Sequence, residues 1–157
     1  MKPATLWLLV VAALVVFGGG GVVVYNATRG LRNNNPGNIR KTATDWRGEV
    51  VGSDSAFETF ATPEAGIRAL AVLLRNYQRK YGLRTVRAII TRYAPPSENN
   101  TESYVSAVAR RLNVGADQPI NLEDSATLSA LVQAVIKHEN GVQPYTVAMI
   151  AGAVAAA

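Results

Sequence analysis

The sequence predicts a mainly α, α+β domain with a small β-hairpin, preceded by one transmembrane helix. Three observations lead there. Residues 4–25 run from Ala4 to Tyr25 without a charged side chain. Residues 62–154 repeat apolar side chains at helical spacing, in stretches opened by Thr, Asn or Asp and closed by Gly or Pro. Between them, residues 46–51 and 56–60 read as two short strands joined by Gly52-Ser53-Asp54-Ser55. The expected organisation is an anchor over 1–25, a linker over 26–30 and one domain over 31–157.

A helix over residues 4–25, at about 1.5 Å per residue, would cross a hydrocarbon core of about 30 Å. Trp7 and Tyr25 would stand near its two interfaces. The rival is a cleaved signal peptide, but the apolar run continues past Phe17 and no small-x-small cleavage pattern precedes a polar stretch. Gly18 to Gly21 weaken such a helix locally, or let a neighbouring span pack closely. Arg29, Arg32, Arg40 and Lys41 follow the span, against Lys2 and the amino terminus before it. That asymmetry would keep the domain on the cytoplasmic side during synthesis.

After the linker, Leu31-Arg32-Asn33-Asn34-Asn35-Pro36-Gly37-Asn38-Ile39-Arg40 is too rich in Asn, Pro and Gly to be a regular element. Its side-chain amides suit the orientation of a sugar or a catalytic carboxyl. Phe57 and Phe60 should anchor the hairpin, and Trp46 belongs either to the core or to a sugar-stacking platform. Thr62-Pro63-Glu64 then opens a helix running to Gly82, with an N-cap, a first-turn proline and an early acid. Thr85 opens a shorter helix that Pro95-Pro96 ends. Residues 97–101 form a polar loop before a helix over 102–112, with Tyr104, Val105, Val108 and Ala109 inward. Asp124-Ser125 can cap a helix over 128–140, and residues 147–154 should form a short terminal helix.

The chain of 157 residues has no Cys and one His, His138. Disulfides, thiol catalysis and multi-His metal sites are therefore excluded, and no cofactor or metal is expected. A formal net charge of +5 suits an anionic partner. The Lys and Arg residues are scattered, however, and no phosphate-binding loop or nucleic-acid motif is present, so no nucleic acid is expected.

The chemistry concentrates at the end of the helix over 128–140. Leu128, Leu131, Val132, Val135 and Ile136 form one stripe, and Glu139 continues it, four residues after Val135 and seven after Val132. Gly141 follows as a stop. A carboxyl on the inward face of a helix end is the kind of group that serves as general acid in glycosidic bond cleavage. The plainer alternative is a partly exposed Glu at a fraying end. Hydrolytic glycosidases pair two carboxylates. Glu98, Asp54 and Asp45 are the candidates for a second, and Glu98 in the amide-rich loop is the choice, with helix capping as its alternative role. Asn33, Asn35, Asn38, Asn99, Tyr104 and Asn140 are the candidate substrate-binding residues. His138 points about 100° from Glu139 around the helix and is not its natural proton partner.

Asn35-Pro36-Gly37-Asn38-Ile39-Arg40, then Trp46-x-Gly48, Phe57-x-x-Phe60 and a helix, resemble the bacterial and phage glucosaminidases with a lysozyme-like core. Glu139-Asn140-Gly141 is similar to the catalytic Glu-Ser-Gly motif of that group, but stands at the other end of the chain, as a circular permutation would put it. Taken with Ala-Pro-Pro-x-Glu-Asn-x-Thr-x-x-Tyr over 94–104, the order also resembles phage virion-associated muralytic proteins, including lytic transglycosylases. The resemblance covers about residues 30–150. It implies cleavage of peptidoglycan glycan strands with Glu139 as acid/base, and a single convincing acid favours transglycosylation.

The functional expectation is a membrane-anchored, peptidoglycan-degrading lytic transglycosylase or muramidase carried in a phage virion for host wall penetration. Its partners would be the glycan strand, a lipid membrane through residues 4–25, and other virion membrane or capsid proteins. Its place would be the virion membrane or the bacterial inner membrane. The alternatives are a non-enzymatic wall-binding or virion structural protein that kept the fold, and a glucosaminidase. Proximity of Glu139 to Asn35 is the geometric expectation, because the end of this helix must meet the start of the domain.

Overall fold

The computed structural model describes residues 11–17, 21–97 and 100–157, with the backbone alone for 11–27. It corrects the predicted fold class at two places. Val11–Phe17 (β1) and Gly21–Ala27 (β2) are an antiparallel pair, with Val11 opposite Ala27 and Phe17 opposite Gly21. The helix expected over residues 4–25 is therefore absent where the chain is described; residues 4–10 and 18–20 lie outside the described residues. Among the described residues no helix is long and apolar enough to cross a membrane. The single-pass anchor, the lipid partner and the membrane localisation built on it are withdrawn. The physical reason lies in the residues chosen. Val at 11, 15, 16 and 22–24 is β-branched and favours strands, and each glycine of the 18–21 run costs a helix about 1 kcal/mol.

The second correction concerns the hairpin. Residues 46–51 and 56–60 form no strands. They meet at one bridge, Glu49 with Phe60, flanked by Val50 N to Thr59 O and Ala61 N to Gly48 O, and Phe57 bridges separately to Arg40. Gly48 sits at φ +86°, and Val51 is fully exposed, so there is no alternation of buried and solvated side chains to extend a ladder.

The rest is a helical bundle. Arg29–Arg32 (α1) starts at Thr28, whose hydroxyl accepts from Leu31 N, and overlaps the expected linker. Pro63–Tyr81 (α2) is capped by Thr62 and ended by Gly82 at φ +67°. Val86–Tyr93 (α3) follows the Thr85 cap, and Thr101–Leu112 (α4) follows Asn100 and ends at Asn113. Ser125–Asn140 (α5) is capped by Asp124 and ended by Gly141, and Val147–Ala155 (α6) is capped by Thr146. Each of these N-cap oxygens accepts a backbone N–H that the first turn leaves without a helical partner.

The central helix is α5, which packs against α2, α4 and α6. Its Leu128, Leu131, Val132, Val135 and Ile136 are all fully buried. They meet Ile67, Leu70 and Leu74 of α2, Val105 and Val108 of α4, and Ile150 and Val154 of α6 in one core. Burial of this kind contributes about 1.5–3 kcal/mol per large aliphatic side chain. It fixes the direction of α5, and hence the place where its last turn emerges.

Candidate functional site

That last turn faces the amide-rich loop. Asn34 and Asn38 both adopt φ +50°, a left-handed backbone that Asn tolerates better than other non-glycine residues. The loop lies directly on α2, where a Cβ added to Gly66 would stand 1.8 Å from the Asn34 carbonyl oxygen. Only a glycine in α2 allows this approach. The loop is tied to the end of α5 by Asn140, which donates to the Pro36 carbonyl at 2.7 Å and to its own Ile136 carbonyl at 2.9 Å, and accepts from the Thr28 hydroxyl. The Tyr93 hydroxyl donates to the Gly37 carbonyl.

Both oxygens of Glu139 are held. The Asn38 amide donates to Oε2 and the Tyr104 hydroxyl to Oε1, each at 2.9 Å. Glu139 is half-buried, whereas Tyr104 is 2% exposed. Burial raises the Tyr104 phenol pKa far above its ordinary value, with the nearby Tyr93 and Glu139 adding to the effect, so its proton stays available to the carboxylate. The ring stacks on His138, with centroids 3.5 Å apart and planes 13° from parallel, and meets Tyr93 edge-on. Burial lowers the His138 pKa, opposed by Glu139, which favours a neutral imidazole against the phenol. His138 thus touches the ring whose hydroxyl donates to Glu139.

Glu139 opens into a cleft of about 690 Å³, walled by the loop at Gly37 to Arg40, by Trp46 and Phe57, and by Tyr77, Arg92 and Tyr93. Among the described residues it is the one carboxylate lining this cleft.

The other sequence-selected residues are placed as follows. Glu98 and Asn99 lie outside the described residues. Asp54 sits in an ion pair with Arg29 and accepts from Asn33, which hold its carboxyl well below the usual range. It is a brace for α1. Asp45 lines the next segment of the groove, away from Glu139. Asn33 serves that brace and the end of α1. Asn35 is fully buried, its amide bonded to the Ile39 and Glu58 carbonyls and its oxygen to Ile39 N. Asn140 is 6% exposed and ties backbone to backbone. Asn38 and Tyr104 alone of the described candidates touch Glu139 directly, so the expected meeting of loop and helix occurs at Asn38 rather than Asn35. Among the described residues no cluster of three or more His, Asp or Glu is placed to hold a metal.

The sequence reading passed over three groups: Tyr93, which holds the loop; Arg92, in the cleft wall; and Glu58, a carboxyl 1% exposed that accepts from Thr42 N. Tyr93 and Arg92 are the last two residues of α3, immediately before Ala94-Pro95-Pro96. The position of a helix end beside a polar loop was the available signal. Glu58 carried none, because it reads as the solvated position of a strand.

Fold and site together define a helical protein with a cleft, lined by the Glu139 carboxylate, between its amide loop and its central helix. The chain is 45% identical over 127 residues to Protein P5 of Pseudoalteromonas phage PM2, a match covering 78% of each chain. It belongs to the family of that phage protein. No family model matches it. The expectation of a membrane-anchored lytic transglycosylase with peptidoglycan as partner is corrected on these findings: the anchor helix is absent where the chain is described, and no family match assigns that activity or partner.

Proposed function

We propose that the chain is a non-enzymatic phage protein that binds a wall polysaccharide in the cleft at Glu139. The single observation behind this reading is the cleft itself, in which the Glu139 carboxylate, the Asn38 amide, the hydroxyls of Thr42, Thr44 and Tyr93, and the rings of Phe57 and Tyr77 converge. Sugars present hydroxyls to such acceptors and donors, and apolar ring faces to aromatic side chains.

A second reading, glycosidic bond cleavage with Glu139 as acid/base, has one specific observation in its favour. The Tyr104 hydroxyl can donate to a carboxylate or accept from a carboxylic acid, so Glu139 keeps its partner in either protonation state. One experiment separates the two. The full chain and Glu139→Gln are incubated with insoluble bacterial wall polysaccharide. Pelleted protein is measured, and soluble fragments are sought by mass spectrometry. Binding without fragments supports the first reading. Fragments that vanish in Glu139→Gln support the second. Wild type that neither pellets nor releases sugar overturns both.

A further inference from the structure

The cleft does not end at Arg92. A second cavity of about 480 Å³ shares Thr44, Trp46, Leu73, Tyr77 and Arg92 with the first, so the two form one groove. Its two ends differ in charge. At one end Glu139 stands with the neutral groups Asn38 and Tyr93 and one cation, Arg40. At the other, Arg47, Arg68, Lys80 and Arg92 converge against a single acid, Asp45.

Arg92 is fixed there by aromatic rings. Its guanidinium lies 3.7 Å over Tyr81 and 5.2 Å from the centre of Tyr77, and those two rings meet edge-on. Stacking orients a guanidinium while leaving its in-plane N–H groups to be used. Neither Arg92 nor Lys80 has a carboxylate partner among the described residues, in contrast to Arg29, Arg79 and Arg87. Cations gathered in a concave wall with one acid among them focus a positive field into the groove.

We infer that the groove takes an acidic glycan, lying with a neutral sugar at Glu139 and a carboxylate of another sugar on Arg92 and Lys80. This rests on the glycan-binding reading above and specifies its ligand. Nucleic acid fits the same groove less well, because it carries a phosphate at every nucleotide, spaced about 3.4 Å per strand in a duplex, which would put a negative charge against Glu139. A glycan with carboxylates on alternate sugars matches a groove in which one acid and one cation balance at the Glu139 end and cations outnumber acids at the other.

The test titrates the full chain calorimetrically with three probes of equal length: the neutral N-acetylglucosamine hexamer, a hyaluronan hexasaccharide with its alternating carboxylates, and hexathymidylate. Hyaluronan should bind about tenfold more tightly than the neutral hexamer, as one charge-assisted contact provides. That ratio should shrink in Arg92→Ala and in Lys80→Ala, shrink less in Arg92→Lys, and fall with added salt. If Arg92→Ala fails to fold, the exposed Lys80→Ala carries the test. Equal binding of the two sugars overturns the acidic preference and leaves glycan binding standing. No binding of either sugar overturns both readings. Tighter binding of hexathymidylate than of hyaluronan identifies a nucleic-acid groove instead and overturns the inference.

Discussion

Among the described residues, 28–61 contain one four-residue helix, α1, and keep their shape through amides and carboxyls, whereas 62–157 fold as five helices around an apolar core. In the first region the buried anchors are Asn35 and Glu58, accompanied by Ile39, Trp46 and Phe60. In the second they are aliphatic stripes, with Gln78 bracing the helix–loop packing through Ile120 O and Leu122 N. Glu139 comes from the second region, and Asn38, which touches it, from the first. The comparison teaches that the bundle sets the direction of the carboxyl while the loop sets its surroundings. A hydrogen-bonded loop is specific but unforgiving, because each buried polar group must keep its partner.

The largest expected effect tests that point directly. Asn35→Ala removes three hydrogen bonds and leaves Ile39 N and the Glu58 carbonyl buried without that partner, while the Ile39 carbonyl keeps the Glu58 N–H. At roughly 1–3 kcal/mol for each unmet group, the loss should match the roughly 2–5 kcal/mol of a buried Leu→Ala change such as Leu131→Ala. Urea unfolding of the two variants side by side measures it. A much smaller loss for Asn35→Ala would show that the loop does not depend on its amides.

Next comes the seam between the regions. On helix propensity alone, Gly66→Ala should stabilise α2 by about 1 kcal/mol. The added Cβ would meet the Asn34 carbonyl, so the change should instead destabilise, by roughly 1–3 kcal/mol as overpacking does. A gain in thermal stability would mean that loop and helix are not in contact.

The smallest effect carries the opposite sign. Burial is the main cause that raises the Glu58 pKa above its ordinary 4.5, and the neighbouring Glu49 adds to it. In the window above that ordinary value the folded chain holds a proton that the unfolded chain has released. Stability associated with Glu58 is therefore complete below pH 4.5 and is lost as pH rises through the raised folded value. Glu58→Gln can still accept from Thr42 N, so it should melt higher than wild type at pH 7, with the gap closing towards pH 4. Melting curves across that range check the sign.

Local chemistry in the sequence determined the helices of the second region. Thr62, Thr85, Asp124 and Thr146 are caps, Gly82 and Gly141 are stops, and the stripe on α5 names its own buried face. The same periodicity places Glu139 on an inward-leaning face. Composition misled at the start of the chain, because hydropathy does not distinguish an apolar helix from apolar strands, and the valines and glycines decided the backbone of 11–17 and 21–27. It misled again over 46–60, where aromatic and branched residues suggested strands but nothing lies alongside to extend the single bridge.

Within the amide loop, tertiary structure alone decided which Asn serves which purpose. Asn33, Asn35, Asn38 and Asn140 are chemically alike, and no spacing rule separates them. The loop's path over Gly66 turns Asn35 into the core and Asn38 towards Glu139. Partners more than one hundred positions apart, such as Asn38 with Glu139 and Asn140 with Pro36, exist only once the packed bundle brings the end of α5 to the start of the domain. Side-chain type and helical period are local properties and can be read from the chain. The neighbours of a polar group are set by packing across the whole fold, and that is where this cleft acquired its form.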